Sequence, residues 1–152
     1  MNQNIKVAKK LIKLAKSLIN ENRIISSKQT NYNIIKKIAE KIRNEMVKKY
    51  GTGDKLRGHC VEASDLIVEE LNKHNISSKS PEGYILLDDT LDLQFPYDSH
   101  VWVEAEGYFI DVTIEQFNDY LKATDKPFPP ICILKKRPKN LVMEEPIYNE
   151  LT

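Results

Sequence analysis

Cys60, His100 and Asp111 are the residues of this chain whose types and order could carry nucleophilic chemistry. Gly58-His59-Cys60 directly precedes a stretch in which Cys60, Ala63 or Ser64, Ile67 and Leu71 recur at helical spacing, so Cys60 falls at the start of a helix running to Lys73. Unpaired backbone N–H groups and the positive end of the helix dipole gather there, and both favour the thiolate, the nucleophilic form of cysteine. His100 would take the thiol proton and later protonate a leaving group, while Asp111 would hold the imidazole in one tautomer and stabilise its cation. Such a cysteine attacks an acyl carbon near neutral pH. The backbone N–H of Cys60 is a natural oxyanion donor, and the sequence does not name a second.

His100 and Asp111 must be brought together by the segment between them. Ser99 to Glu104 and Tyr108 to Thr113 read as two strands joined at Ala105-Glu106-Gly107. If Glu106-Gly107 form a two-residue turn, Ala105 pairs with Tyr108, and counting outward pairs Trp102 with Asp111 and His100 with Thr113. Side chains alternate between faces, so His100, Trp102, Asp111 and Thr113 share one face, with His100 and Asp111 as diagonal neighbours. A four-residue loop would set them directly opposite, and a three-residue loop would separate them.

Around this set, Trp102, Glu62 and His59 are the candidate substrate contacts. Trp102 walls the site or packs in the core, and Glu62, in the first turn after the nucleophile, touches substrate or favours the helix start. His59, Cys60, His100 and Asp111 are all metal-ligand types, but their spacing matches no zinc pattern and the catalytic order accounts for the same residues. No metal or organic cofactor is therefore expected. Cys132, between two isoleucines, reads as core, and His74 as a solvated residue past the helix end.

The run Gly58-His59-Cys60-Val61-Glu62-Ala63-Ser64, then Gly83, then His100-Val101-Trp102-Val103-Glu104 and Tyr108-Phe109-Ile110-Asp111-Val112-Thr113 resembles the core of the transglutaminase-like superfamily, which belongs with the papain-like cysteine enzymes. The resemblance implies an α+β fold in which the cysteine-bearing helix packs on an antiparallel sheet. It also implies a triad of Cys60, His100 and Asp111. The activity it implies is that of a cysteine hydrolase or acyltransferase, of amidase, deamidase or peptidase type, working on an amide, ester or thioester carbonyl. Its substrate would be a protein, a peptide or a small amine or acyl compound. The non-enzymatic alternative is an inactive fold of the same kind that serves as an interaction module.

The remaining elements frame this core. Val7, Leu11, Leu14, Leu18 and Ile19 alternate with Lys6, Lys9, Lys10, Lys13 and Lys16 as an amphipathic helix. Asn20, Asn22 and Ser26-Ser27 interrupt the pattern before Ile34, Ile35, Ile38, Ile42, Met46 and Val47 resume it, which reads as an N-terminal helical hairpin. Strands are expected at Tyr84–Leu87, Ile131–Leu134 and Leu141–Met143, with a loop or flap at Asp88–Ser99. The organisation is thus a basic helical segment at 1–50, packed on or appended to a core at 51–143, and a tail at 144–152.

Composition bounds the rest. With 152 residues, 41% hydrophobic and 30% charged, the chain reads as one ordinary soluble domain rather than a disordered one. Two cysteines cannot build a disulfide framework, which suits a reducing, cytoplasmic setting. No apolar run reaches the ~20 residues of a transmembrane helix. The net charge of +1 conceals an asymmetry, since 15 of the 23 Lys and Arg but only 4 of the 22 Asp and Glu precede residue 59. The two halves neutralise each other, or the basic helix meets a partner or an anionic surface. No aromatic residue is interleaved with its lysines, which argues against a nucleic-acid stacking platform. Asp88, Asp89, Asp92 and Asp98 give the flap an acidic approach suited to a basic or amine-bearing substrate.

Overall fold

A computed structural model describes residues 2–147. Most of the expected tail therefore lies outside the described residues. The architecture is α+β, with a long N-terminal helix and two antiparallel sheets. The chain divides between Ile34 and Ile35 into two compact units, and the division falls within the first helix.

The first unit is helical throughout its described part, and every residue from 2 to 30 is exposed. The expected hairpin is corrected here: α1 runs from Asn2 to Tyr50 without a break. Asn and Ser each cost a helix only a few tenths of a kcal/mol relative to stronger formers, and no Gly or Pro occurs before Gly51. Thr30 Oγ1 also donates to the carbonyl of Ser26 at 2.9 Å, so the polar side chain is used within the helix. Polar residues that weaken a hydrophobic stripe do not by themselves stop a backbone ladder.

The second unit begins with the last turns of α1, where Ile35, Ile38, Ala39, Ile42, Arg43 and Met46 are buried. Gly51, at φ +106°, ends that helix with its N–H on the Val47 carbonyl at 2.8 Å. A short 3-10 turn at Gly53–Leu56 leads into α2, Cys60–Lys73, the helix expected from the apolar spacing. His74 caps its end and is exposed. Among the described residues seven strands follow: β1 Ser78–Lys79, β2 Glu82–Leu86, β3 Tyr97–Val101, β4 Val103–Ala105, β5 Tyr108–Asp111, β6 Cys132–Leu134 and β7 Leu141–Val142. One sheet has the order β1-β4-β5-β6 and the other β3-β2-β7. A 3-10 helix, Ile114–Tyr120, follows β5, and α2 packs on β1, β3 and β4.

The β4–β5 hairpin turns through Glu106-Gly107, both at positive φ (53° and 78°), and pairs Ala105 with Tyr108, as the two-residue turn requires. Its ladder stops at Val103 opposite Ile110. The single strand expected from His100 to Glu104 is in fact two, divided at Trp102, whose N–H bonds the Pro81 carbonyl at 3.2 Å. His100 lies in the other sheet, opposite Gly83, and has no place in the β4–β5 register. The expected flap is shorter for the same reason, since residues 97–99 already pair with β2.

Gly83 permits this crossing. A Cβ on it would stand 2.5 Å from the Val142 carbonyl oxygen and 2.7 Å from the Trp102 ring, too close for any side chain. Trp102, Phe109, Ile85, Leu87, Ile114, Phe117, Cys132 and Leu141 form one buried cluster from both sheets and the second 3-10 helix. Trp102 is thus a core residue, fully buried, and its indole N–H donates to Glu104 Oε1 at 3.1 Å.

Candidate active site

Asp111 closes β5 and begins the turn into the 3-10 helix. Its Oδ1 accepts the backbone N–H groups of Thr113 and Ile114, each at 2.9 Å, and the Thr113 hydroxyl at 3.3 Å. These bonds fix the carboxylate and leave Oδ2 for His100, whose Nε2–H reaches it at 2.5 Å. Both side chains are buried. The Phe117 ring packs at right angles to the imidazole, at a centroid distance of 5.1 Å and an angle of 89°, which helps hold the ring plane.

Burial by itself disfavours the imidazolium. The Asp111 charge and hydrogen bond, with a smaller contribution from Cys60, outweigh it and raise the His100 pKa well above the ordinary histidine value. The other ring nitrogen, Nδ1, is buried and makes no hydrogen bond of ordinary geometry. Cys60 is the thiol that lies within the electrostatic reach of the ring. Burial pushes that thiol up, but the His100 ring and the Val101 N–H together bring it below the ordinary cysteine value. The ring–thiol contact falls short of a formed hydrogen bond.

Cys60 is the first residue of α2, half-buried, and its N–H has no acceptor within the helix. The backbone of Val101 ties this helix end to β3: its N–H faces the Cys60 sulfur, and its carbonyl accepts the Ser64 hydroxyl at 3.4 Å. One turn of helix therefore sets two side chains on the backbone of the one residue that follows His100.

Three residues expected to touch substrate are engaged elsewhere. Trp102 has no exposed surface to offer a ligand. Glu62 takes the Lys49 ammonium at 2.7 Å and the Tyr50 hydroxyl at 2.5 Å, which hold its carboxyl below the usual range. His59 stacks on the Tyr50 ring at a centroid distance of 3.5 Å and stands 3.6 Å from Glu62. Together, His59 and Glu62 clip the start of α2 to the end of α1. The acidic approach is also partly spent, because Asp88 accepts from Thr90 and Asp98 pairs with Arg57 at 3.4 Å.

Sequence spacing did not single out Arg43. It is buried, donates to the Val112 carbonyl at 2.9 Å, and pairs with Glu115, which also accepts the Gly53 N–H at 3.1 Å. It thereby braces the backbone immediately after Asp111. The one available signal was an arginine on an otherwise apolar helical stripe, between Ile42 and Met46. Cys132 lies in register opposite Asp111 in the core, and burial with that neighbouring charge pushes its thiol up to about 12.

Among the described residues, no group of three or more His, Cys, Asp and Glu side chains is arranged to hold a metal ion. A cavity of about 490 Å³ opens at the β4–β5 turn, lined by Lys79, Glu104, Tyr108, Lys135 and Arg137 among others, and none of Cys60, His100 and Asp111 lines it. No protein-family model, curated protein or solved structure matches this chain.

Proposed function

We propose that this protein is a cysteine-dependent hydrolase or acyltransferase with a transglutaminase-like, papain-like core, in which Cys60, His100 and Asp111 form the catalytic triad. One observation carries the reading. His100 is buried with Nε2 committed to Asp111, so Nδ1 is the nitrogen left to exchange a proton with sulfur, and the thiol under its influence is the lowered one of Cys60. Purely structural histidines have no need of a helix-terminal thiol on their second nitrogen.

In the proposed reaction the Cys60 thiolate attacks the carbonyl carbon of an amide, ester or thioester, and the Cys60 N–H receives the developing oxyanion. The His100 imidazolium gives its Nδ1 proton to the departing amine, alcohol or thiol, which leaves a thioester on Cys60. His100, now neutral, takes a proton from water or from an amine acceptor as that nucleophile attacks the thioester. Collapse of the second intermediate releases the acid or the new amide and restores the thiolate–imidazolium pair. Asp111 stabilises the imidazolium in both half-reactions without itself taking the proton.

The test is the alkylation rate of each cysteine from about pH 5 to 9, followed by peptide mass in wild type and His100→Ala, because an ordinary thiol titrates near 8.5. Rapid labelling of Cys60 at about pH 6, lost in His100→Ala, is the expected result. Labelling of Cys60 no faster than that of Cys132 and indifferent to His100 would leave the inactive interaction module as the reading.

A further inference from the structure

The first turns of α1 divide their surface by charge. At about 100° per residue, Lys6, Lys9, Lys10, Lys13 and Lys16 fall within one arc of about 120°. The opposite arc, about 180° wide, carries Ile5, Val7, Leu11, Ile12, Leu14, Leu18 and Ile19, with Ala8 and Ala15 between them. These larger apolar side chains are each more than half exposed, and the first acidic residue of the chain is Glu21. The division ends there, because Asn22 and Ser26 enter the apolar arc beyond it.

We infer that residues 5–19 form an interfacial helix that binds the surface of an anionic lipid bilayer. The argument is one of complementarity. A headgroup layer carrying phosphate or carboxylate meets the lysine arc, and the acyl boundary beneath it takes the apolar arc. A helix of about four turns lies in that plane along roughly 23 Å. A second copy of the chain fits less well, because a two-helix seam covers a narrow stripe and needs opposite charges along its flanks. Here the apolar arc is half the cylinder, and the only charged residues beside it are lysines. Spanning the bilayer is excluded for this helix, since no described helix is long and apolar enough.

The experiment is flotation of the full chain with vesicles of phosphatidylglycerol and phosphatidylcholine in equal parts, against vesicles of phosphatidylcholine alone. Binding to the anionic vesicles, at least about tenfold weaker on the neutral ones and weakened by salt, is the expected result. Leu11→Gln/Leu18→Gln and Lys9→Gln/Lys13→Gln should each lose about tenfold or more, with helix content by circular dichroism retained. Absence of flotation at low salt would overturn the inference. So would full binding by Leu11→Gln/Leu18→Gln, which marks attraction of charge alone. A vesicle-free dimer in sedimentation that the same double variant abolishes would assign the face to a second copy and likewise overturn it.

Discussion

His100 Nε2 lies 2.5 Å from Asp111 Oδ2 although the two residues sit in different sheets, β3 and β5. Trp102, the residue at which the chain changes sheet, makes that meeting possible. The pair fixes a pH dependence with a definite sign. Because the folded state raises the His100 pKa, its contribution is complete below the unfolded value of about 6.5 and is lost as pH rises through the raised folded value. In a Cys60→Ala background, which removes the thiol's own titration, urea stability should fall across that window. Adding His100→Ala should cost about 3 kcal/mol at pH 6 and flatten the curve, since it leaves the buried carboxylate without its ring partner. A stability profile that rises with pH, or is unchanged by the added substitution, would contradict the pairing.

Gly83→Ala should destabilise the protein by about 1–3 kcal/mol, because the new methyl must displace the Val142 carbonyl or the Trp102 ring. Since Gly83 is opposite His100, the same variant should slow Cys60 alkylation at pH 6. Thermal melting and labelling checked on one preparation decide both points. A melting temperature equal to wild type would mean that the crossing is not tight.

Removing Arg43 leaves the part-buried Glu115 carboxylate without its cation and the buried Val112 carbonyl without its donor. Arg43→Met should therefore cost about 3–5 kcal/mol, with much of it recovered in Arg43→Met/Glu115→Gln. A double-mutant cycle by urea unfolding measures the coupling. Strict additivity of the two substitutions would show that the pair is not coupled.

Glu106 occupies a left-handed position, φ 53°, in the hairpin turn, a conformation that Asn adopts more readily than Glu. Glu106→Asn is expected to stabilise the chain by about 0.5–1 kcal/mol without touching Cys60, His100 or Asp111. A higher melting temperature with an unchanged Cys60 alkylation profile is the outcome to look for. A lower one would argue against this turn geometry.

Glu62 should act on position rather than on chemistry. Glu62→Gln removes the Lys49 ion pair but keeps a side chain able to bond Tyr50, so the pH midpoint of Cys60 alkylation should stay near wild type. His100→Ala, by contrast, should move it toward about 8.5. A shift of the Glu62→Gln midpoint comparable to that in His100→Ala would place Glu62 in the electrostatics of the thiol.

Local chemistry made part of this architecture legible in the amino acids alone. The helix Cys60–Lys73 follows from apolar spacing with one residue as its starting point, and a reversal at Ala105-Glu106-Gly107 follows from the two flanking runs, while the structure selects the two-residue turn from the loop lengths that the sequence left open. Both are short-range decisions, settled within a few residues. By the same logic the stretch 20–27 looked like a break in α1, yet backbone hydrogen bonding continues through polar residues that merely lack a hydrophobic face.

Long-range contacts decided the rest. Alternation along His100–Glu104 predicts one strand, because period-two patterning is the same whether a strand keeps its partner or exchanges it. Only the packing of Trp102 against Gly83, with its N–H on Pro81, divides it into β3 and β4. Tertiary structure likewise drew Glu62 and His59 onto Tyr50 and Arg43 onto Val112, since their partners lie 9 to 69 positions away and no periodicity encodes such distances. What the sequence determined by itself was the identity and order of the thiol, the imidazole and the carboxylate, together with the helix end beneath Cys60. Their meeting required two sheets to be joined at one buried indole, a matter of volume and hydrogen bonding between residues far apart in the chain.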